Sequence, residues 1–228
     1  LGHTGLLKIS ETAITTGNIG YAVNSFDQLG TDATQPFGGL VNYNTNHFGK
    51  QQFDVNVNGA LGNGWYYSGS TYQNFDPGSF KLRFAQYQDR TEIYKFALSK
   101  VYAGGRGRLS AIYHYSNSHW LSNATTGAPF IYVGDGSVKE FGKFELGTTS
   151  YLPTDNEMTY RDMRTGQLKQ TTLYDACLNR MSEVSLMNSY KWDNGLKWNA
   201  SLKYDHSRGA MVYQTPMSII NHHNPDLQ

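Results

Sequence analysis

The sequence predicts an all-β protein, an antiparallel transmembrane β-barrel of which this chain supplies about six to eight strands. Three pairs of alternating segments are joined by short Gly-rich connections at residues 61–64, 103–107 and 193–195. The stretches between the pairs are long, about 15 and about 60 residues, and outer-membrane barrels combine tight periplasmic turns with long extracellular loops in this way. A soluble β-sandwich has no physical reason to sort its connections by length.

Composition supports a β-rich chain and excludes several other classes. Only 16% of the residues are charged, whereas ~25% is usual in soluble domains. The chain is rich in glycine (24) and tyrosine (17). Mean hydropathy is −0.55, and no apolar run approaches the ~18 residues of a membrane helix, but alternating barrel strands average out as polar. A net charge of +1 gives no basis for nucleic-acid binding, and the single Cys177 excludes an intrachain disulfide.

The clearest predicted strand is Leu196–His206, which is about long enough to cross a bilayer as a tilted strand. Leu196, Trp198, Ala200, Leu202 and Tyr204 alternate with polar or charged residues, and this period of two is typical of a strand with one apolar face. Its predicted partner is Glu183–Trp192. The Asp-Asn-Gly between them is a strong hairpin signal.

Two further hairpins follow from the same alternation: Gln52–Leu61 with Trp65–Asn74, and Thr91–Tyr102 with Gly107–Ser118. The alternation also assigns faces. Side chains predicted to face lipid are Phe96, Leu98, Leu109, Tyr113, Leu186, Trp198, Leu202 and Tyr204. Side chains predicted to face the barrel interior are Lys95, Arg108, His114, Glu183, Lys197, Lys203 and Asp205.

Strand parity predicts where the connections lie. The three short turns should lie together at the periplasmic end, and residues 75–90, 119–182 and 207–228 at the extracellular end. One ascending strand, or the segment that leaves the N-terminal part of the chain, must then precede residue 52, and Asn42–Phe48 is the candidate. Aromatic residues near strand ends are explained by an interfacial girdle or by the general use of aromatic rings in β-proteins. They are Trp65, Tyr102, Trp120, Tyr190, Trp192 and Trp198.

The sequence predicts no enzyme, metal site or cofactor. It contains no Gly-x-Ser-x-Gly, P-loop or Cys/His pair. His222 and His223 beside Asp226 lack the further ligands that a metal site requires. The segment Gly-Gly-Arg-Gly-Arg around Arg106 is similar to an RGG-type nucleic-acid-binding segment, but it lies between two predicted strands, where a turn is the simpler explanation.

Four stretches of the chain resemble a known family. Residues 36–46, Pro-Phe-Gly-Gly-Leu-Val-Asn-Tyr-Asn-Thr-Asn, resemble the end of the plug domain of TonB-dependent outer-membrane receptors. Residues 52–65 resemble the early barrel of that family, and residues 89–95 and 190–198 are similar to its strands and turns. The resemblance implies a 22-stranded barrel, filled by an N-terminal plug, that imports a scarce ligand with energy from TonB. Residues 1–46 would then end the plug or form the plug–barrel junction, and residues 47–228 would begin the barrel.

The resemblance also implies a location and partners. The chain would be a fragment of a receptor in the outer membrane of a Gram-negative bacterium, in contact with lipid. The TonB complex would contact a region of the parent protein outside this chain, and the small-molecule ligand is not named. Aromatic and polar groups of the second long loop are the candidate ligand contacts. They are Trp120, Tyr132, Asp135, Tyr151 and Tyr160.

Two other classes stay open at this point. One is a complete eight-stranded outer-membrane barrel with an adhesion or structural role, in which residues 39–46 and 210–220 supply the added strands. The other is a soluble, aromatic-rich glycan-binding β-domain. Faster migration of the unboiled than of the boiled protein on gels (heat-modifiable migration) would favour the first class. A protein that stays monomeric without detergent would favour the second.

Overall fold

The structure is a computed structural model that describes residues 3–7, 22–26, 28–79, 86–121, 130–142, 157–172 and 177–211. Within these ranges the chain consists of β-strands, connections and one short 3₁₀ turn, so the all-β prediction is confirmed. No helix in the described part of the chain is long and apolar enough to cross a membrane.

The strands are numbered here in chain order. They are β1 (His3–Leu7), β2 (Ala22–Phe26), β3 (Gly38–Thr45), β4 (Gln51–Gly62), β5 (Trp65–Asp76), β6 (Asp89–Tyr102), β7 (Gly107–Trp120), β8 (Phe130–Tyr132), β9 (Val138–Glu140), β10 (Glu157–Arg161), β11 (Leu168–Thr172), β12 (Cys177–Lys191) and β13 (Lys197–Met211). Seven of them form one antiparallel sheet in the order β3-β4-β5-β6-β7-β12-β13. Each strand therefore pairs with the strand that precedes it in this series, which is an up-and-down topology.

The other strands form three separate two-stranded hairpins, β1–β2, β8–β9 and β10–β11. Sequence reasoning missed β1, β2, β8 and β9, which are short. The strands β10 and β11 lie at Glu157–Arg161 and Leu168–Thr172, within the second of the long connections. Residues 119–182 are thus not one long loop: β7 continues to Trp120 and β12 begins at Cys177.

The three predicted hairpins of the large sheet are confirmed, and their strands run longer than predicted. β12 and β13 remain paired from Lys191 opposite Lys197 to Cys177 opposite Met211. The prediction began the first of these strands at Glu183. Residues 177–182 mix apolar and polar side chains on both faces, so no alternation marked them, and their strand state comes from pairing with both neighbours.

The predicted strand at Asn42–Phe48 lies instead at Gly38–Thr45. The side-chain Oδ1 of Asn46 accepts the backbone N–H of Phe48 at 3.0 Å and that of Lys50 at 3.1 Å. An Asn side chain that bonds the backbone two residues on forms a turn, so the strand ends before it. The large sheet consequently begins at residue 38, within the segment assigned to the plug or its junction.

The tight turns gather at one end of the sheet, here called the turn end. The turn between β4 and β5 has positive φ at Asn63 (49°) and Gly64 (74°), as a two-residue type I′ turn requires. Arg106 in the next turn is bonded through Nη1 to both carboxylate oxygens of Asp193 at 2.7 and 2.6 Å. Its carbonyl accepts the N–H of Lys191 at 2.9 Å.

The strand ends that are joined by the connections 46–50, 77–88 and 121–176 lie at the opposite end of the sheet, here called the loop end. The predicted sorting of short and long connections is therefore confirmed for the described strand ends from β3 to β13. Residues 212–228 are outside the described ranges, and the side of the membrane that each end faces stays a prediction.

The register of the ladders fixes two faces, because residues directly opposite each other in an antiparallel pair share a face. The apolar face is the one that carries Val41, Val55, Val57, Phe96, Leu98, Leu109, Tyr113, Val184, Leu186, Trp198, Leu202 and Tyr204. The polar face carries Asn56, Ser68, Lys95, Ser99, Arg108, Ser110, His114, Glu183, Ser185, Lys197, Lys203 and Asp205. The two predicted sets of side chains separate onto these two faces. Contact of the apolar face with lipid stays a prediction.

Candidate functional site

In the central strands β5, β6, β7 and β12 most buried side chains lie on the polar face, and the apolar face is the more exposed one except at its loop end, where His119 and Leu178 are buried. β13 is exposed on both faces. Ser99 and Ser110 are 0% and 1% exposed, and their Oγ atoms lie 2.9 Å apart. Leu202 and Phe96 on the apolar face are 68% and 50% exposed. Soluble proteins distribute these residue types in the opposite way, with apolar side chains inside and serine mostly outside.

The chain before β3 accounts for part of this burial. The Oγ of Ser68 donates to the carbonyl of Gln28 at 2.5 Å, and the Oγ of Ser99 donates to the carbonyl of Leu29 at 3.2 Å. The N–H of Ala60 then donates to the carbonyl of Gln35 at 2.9 Å, where the chain reaches the sheet edge and continues as β3. Residues 28–30 are thus fastened to the polar face by two serine hydroxyls on neighbouring strands.

Ser99 should be the more important of these serines for stability. A hydroxyl has one proton, so while Ser99 donates to Leu29, Ser110 must donate to Ser99. Ser99→Ala therefore leaves the buried Ser110 hydroxyl without its partner, at a cost of about 1–3 kcal/mol, and also removes the bond to the partly buried carbonyl of Leu29. We expect the urea midpoint of the detergent-folded protein to fall clearly for Ser99→Ala. It should change little for the half-buried Ser70→Ala, and equal shifts would contradict the described network.

A cleft of about 370 Å³ opens beside this segment at the β3 edge of the sheet. Its lining is rich in carboxamides and contains no ionisable side chain: Gln28, Gly39, Leu40, Asn56, Val57 and Asn58. Asn56 donates to Asp54 at 2.9 Å, which orients its amide. Such a surface can exchange hydrogen bonds with neutral hydroxyl or amide groups.

A strip of charged side chains crosses the polar face nearer the loop end. Lys95 lies opposite His114, His114 opposite Glu183, and Glu183 opposite Asp205. Glu183 is bonded through Oε2 to Lys203 at 2.7 Å and accepts the hydroxyl of Ser185 at 3.0 Å. Charges of both signs meet here, so the strip is suited to a polar surface or ligand of mixed charge rather than to a simple anion or cation.

The structure does not gather the predicted ligand contacts into one site. Trp120 is the last residue of β7 and is half-buried, whereas Tyr132 in β8 is 64% exposed. Asp135 lies at the tip of the same β8–β9 hairpin, and Tyr160 lies in β10 opposite Lys169. No hydrogen bond or ring contact among the described residues joins these three places. Tyr151 lies outside the described residues.

Two loop carboxylates, Asp135 and Asp162, accept hydrogen bonds within their own hairpin turns. Asp135 Oδ1 accepts the hydroxyl and the N–H of Ser137 at 2.5 and 2.8 Å, and these bonds hold the pKa of Asp135 below its usual range. Asp162 is bonded by Lys169 and by the N–H groups of Arg164 and Thr165. Chiefly the Lys169 bond lowers the pKa of Asp162 to about 2. Both groups are ionised at neutral pH and shape hairpin tips.

Sequence reasoning missed two features of the site. The first is the pair of serine anchors, whose only sequence signal is small polar residues at alternate positions of neighbouring strands. The second is the apolar character of the β8–β9 hairpin around Tyr132, where Phe130, Ile131 and Val138 are also exposed. Both features depend on how far each side chain is exposed to solvent in the fold, and a single sequence does not report this exposure.

Among the described residues no group of three or more His, Cys, Asp or Glu side chains could hold a metal ion. Comparisons of the chain with protein-family models, with curated proteins and with solved structures return no match. Function must therefore be argued from the geometry of the sheet and its connections.

Proposed function

We propose that this chain is part of an outer-membrane receptor of the TonB-dependent type, which binds a scarce ligand and imports it across the outer membrane of a Gram-negative bacterium. The observation that carries the proposal is the inverted burial of the large sheet. On its central strands the apolar face is exposed at Phe96, Leu109 and Leu186, and the polar face buries Ser68, Ser99, Ser110 and Ser185 together with the small or aliphatic Ala97 and Ile112. Exposed apolar patches of this kind mark a surface that meets a membrane or a partner.

The extent of the apolar face matches a bilayer. Along β6 the face is apolar from Tyr94 to Tyr102 except for Lys100, a span of nine residues. A tilted transmembrane strand needs ~9–11 residues. Beyond Tyr94 the same face carries Glu92 and Arg90, so the strand continues past the apolar band into a polar region. Barrel strands that rise above the membrane have this composition.

Aromatic rings border the band at the turn end, as an interfacial girdle would. Tyr190 stacks on Tyr102 with ring centroids 6.1 Å apart and meets Trp192 edge-on at 4.9 Å. Lys100 lies over the Trp65 ring at 5.2 Å and donates to a turn carbonyl. A lysine that bends toward the end of an apolar band keeps its ammonium group near water.

Two features favour a receptor over a plain barrel. Residues 28–30 run along the polar face before the chain enters β3, which is the path expected of a segment that leaves a plug inside a barrel. The loop end also carries two extra hairpins between β7 and β12, one of which exposes Tyr132 beside other apolar side chains. Long loops on one end are where a receptor meets its ligand.

Sidedness gives a direct test of the proposal. In the full-length protein with Cys177→Ser, we expect Gly136→Cys to react with a membrane-impermeant maleimide on intact cells. Asn194→Cys should react only after the outer membrane is permeabilised. The parent Cys177 is 3% exposed and is removed so that it adds no background.

The reverse labelling pattern would overturn the assigned orientation. Labelling of both positions in a protein that stays soluble without detergent would overturn the membrane location itself. The labelled variants should also migrate faster on gels before boiling than after it, which checks that they have folded and inserted.

A further inference from the structure

Two arginines face each other at the loop end of the apolar face. Arg180 of β12 lies directly opposite Arg208 of β13 in the ladder, and both are exposed. Toward the turn end the same face continues through Ser182 and His206 to Val184 and Tyr204. The arginine pair therefore lies just past the apolar band.

Among the described residues, no carboxylate lies directly beside this pair in the sheet. In the ladder, Arg180 is flanked on its other side by Asn117, and Glu92 lies beyond Asn117. Glu92 already pairs with Arg90 at 3.2 Å. Within the described ranges, no ion pair of the large sheet involves Arg180 or Arg208. Like charges directly opposite each other on a sheet are destabilising unless an anion is placed between them.

The geometry of Arg180 suits such an anion. Its Nε donates to Oδ1 of Asn117 at 3.1 Å, which orients the guanidinium and leaves its two terminal nitrogens without a partner in the described part of the chain. Guanidinium groups bind phosphate through two parallel N–H bonds, and arginine is less strongly hydrated than lysine. His206 adds a third basic group on the same face.

We propose that Arg180 and Arg208 bind the phosphate groups of a lipid headgroup in the outer leaflet. This inference rests on the proposed function, because it takes the apolar face as the lipid-facing one. Where that band ends at the loop end, the surface must pass from acyl chains to headgroups. A phosphorylated lipid is therefore the anion that lies at this height, and it offsets the repulsion between the two guanidinium groups.

The test uses the full-length protein in neutral detergent and diphosphorylated lipid A in mixed micelles as the probe. We expect Arg180→Gln and Arg208→Gln each to weaken lipid A binding by about tenfold, the effect of losing one charge-assisted bond pair. The control is Arg108→Gln, which removes the same charge from the polar face and should change binding by less than about twofold. Lipid A without phosphates should bind the parent protein as weakly as the variants bind lipid A.

Each other outcome overturns the inference. Equal loss in Arg108→Gln would indicate non-specific charge attraction, and undiminished binding of dephosphorylated lipid A would exclude phosphate recognition. Displacement of lipid A by inorganic phosphate at similar affinity would assign the pair to a free anion instead. If the parent protein inserts into vesicles and all variants bind lipid A alike, only this inference fails. If the parent protein does not insert, the proposed function fails with it.

Discussion

Leu202→Arg is expected to impair assembly of the full-length protein in the outer membrane severely. Leu202 lies on the apolar face opposite Leu186, and Leu98 and Ala111 continue the same row across the sheet. A charge near the bilayer midplane on a lipid-facing position costs about 2–4 kcal/mol. The fraction of protein that shows heat-modifiable migration should fall several-fold, with the remainder degraded or unfolded.

The matched control is Ser201→Arg, one residue earlier on the same strand. Ser201 belongs to the polar face and lies between Asn199 and Lys203, where an added cation remains in a polar environment. It should assemble like the parent protein. A soluble two-sided sheet would respond differently: Leu202 is exposed there, so an arginine would change stability by less than ~0.5 kcal/mol. Equal effects of the two variants would therefore argue against a membrane barrel.

Much of the large sheet could be predicted because its signals are local. The alternation in Leu196–His206 and the Asp-Asn-Gly before it specify a strand, its faces and its turn within one short window. Gly195 has φ +87°, a conformation that glycine adopts without strain, so the turn residue and the register agree. The face assignment followed because the side-chain period of a strand is two.

The parts that could not be predicted depend on distant pairing. Residues 177–182 show no alternation and become strand because β7 and β13 pair with them on both sides. Arg180 and Arg208 come face to face only through the register that the β12–β13 turn sets. The burial of Ser99 requires the chain near Leu29 to lie across the sheet. None of these relations can be read from a short window of sequence, because each joins residues that are far apart in the chain.

Removal of the connection between β7 and β12 is expected to abolish ligand import while the barrel stays inserted. At the loop end His119 lies directly opposite Leu178, so the two strands are already neighbours where the connection begins. Neighbouring strands are about 5 Å apart, and a four-residue Asn/Gly turn can replace residues 122–176 without straining the sheet. The replacement removes Tyr132, Asp135, Tyr151 and Tyr160 and keeps Trp120.

Import is measured as growth under conditions in which growth depends on the full-length protein, and insertion as heat-modifiable migration. The control shortens the other long connection by removing residues 80–85, which contain no candidate ligand contact. Cells with the control should retain growth, and cells with the shortened β7–β12 connection should grow no better than cells without the protein. Trp120→Ala in the otherwise intact chain measures the contribution of Trp120, the one candidate ligand contact that the replacement retains, independently of the hairpins. Growth that survives the loop replacement would show that β8–β9 and β10–β11 are not part of the binding site. The carboxamide cleft and the charged strip of the polar face would then be the candidate binding surfaces, because both remain when the loop is removed.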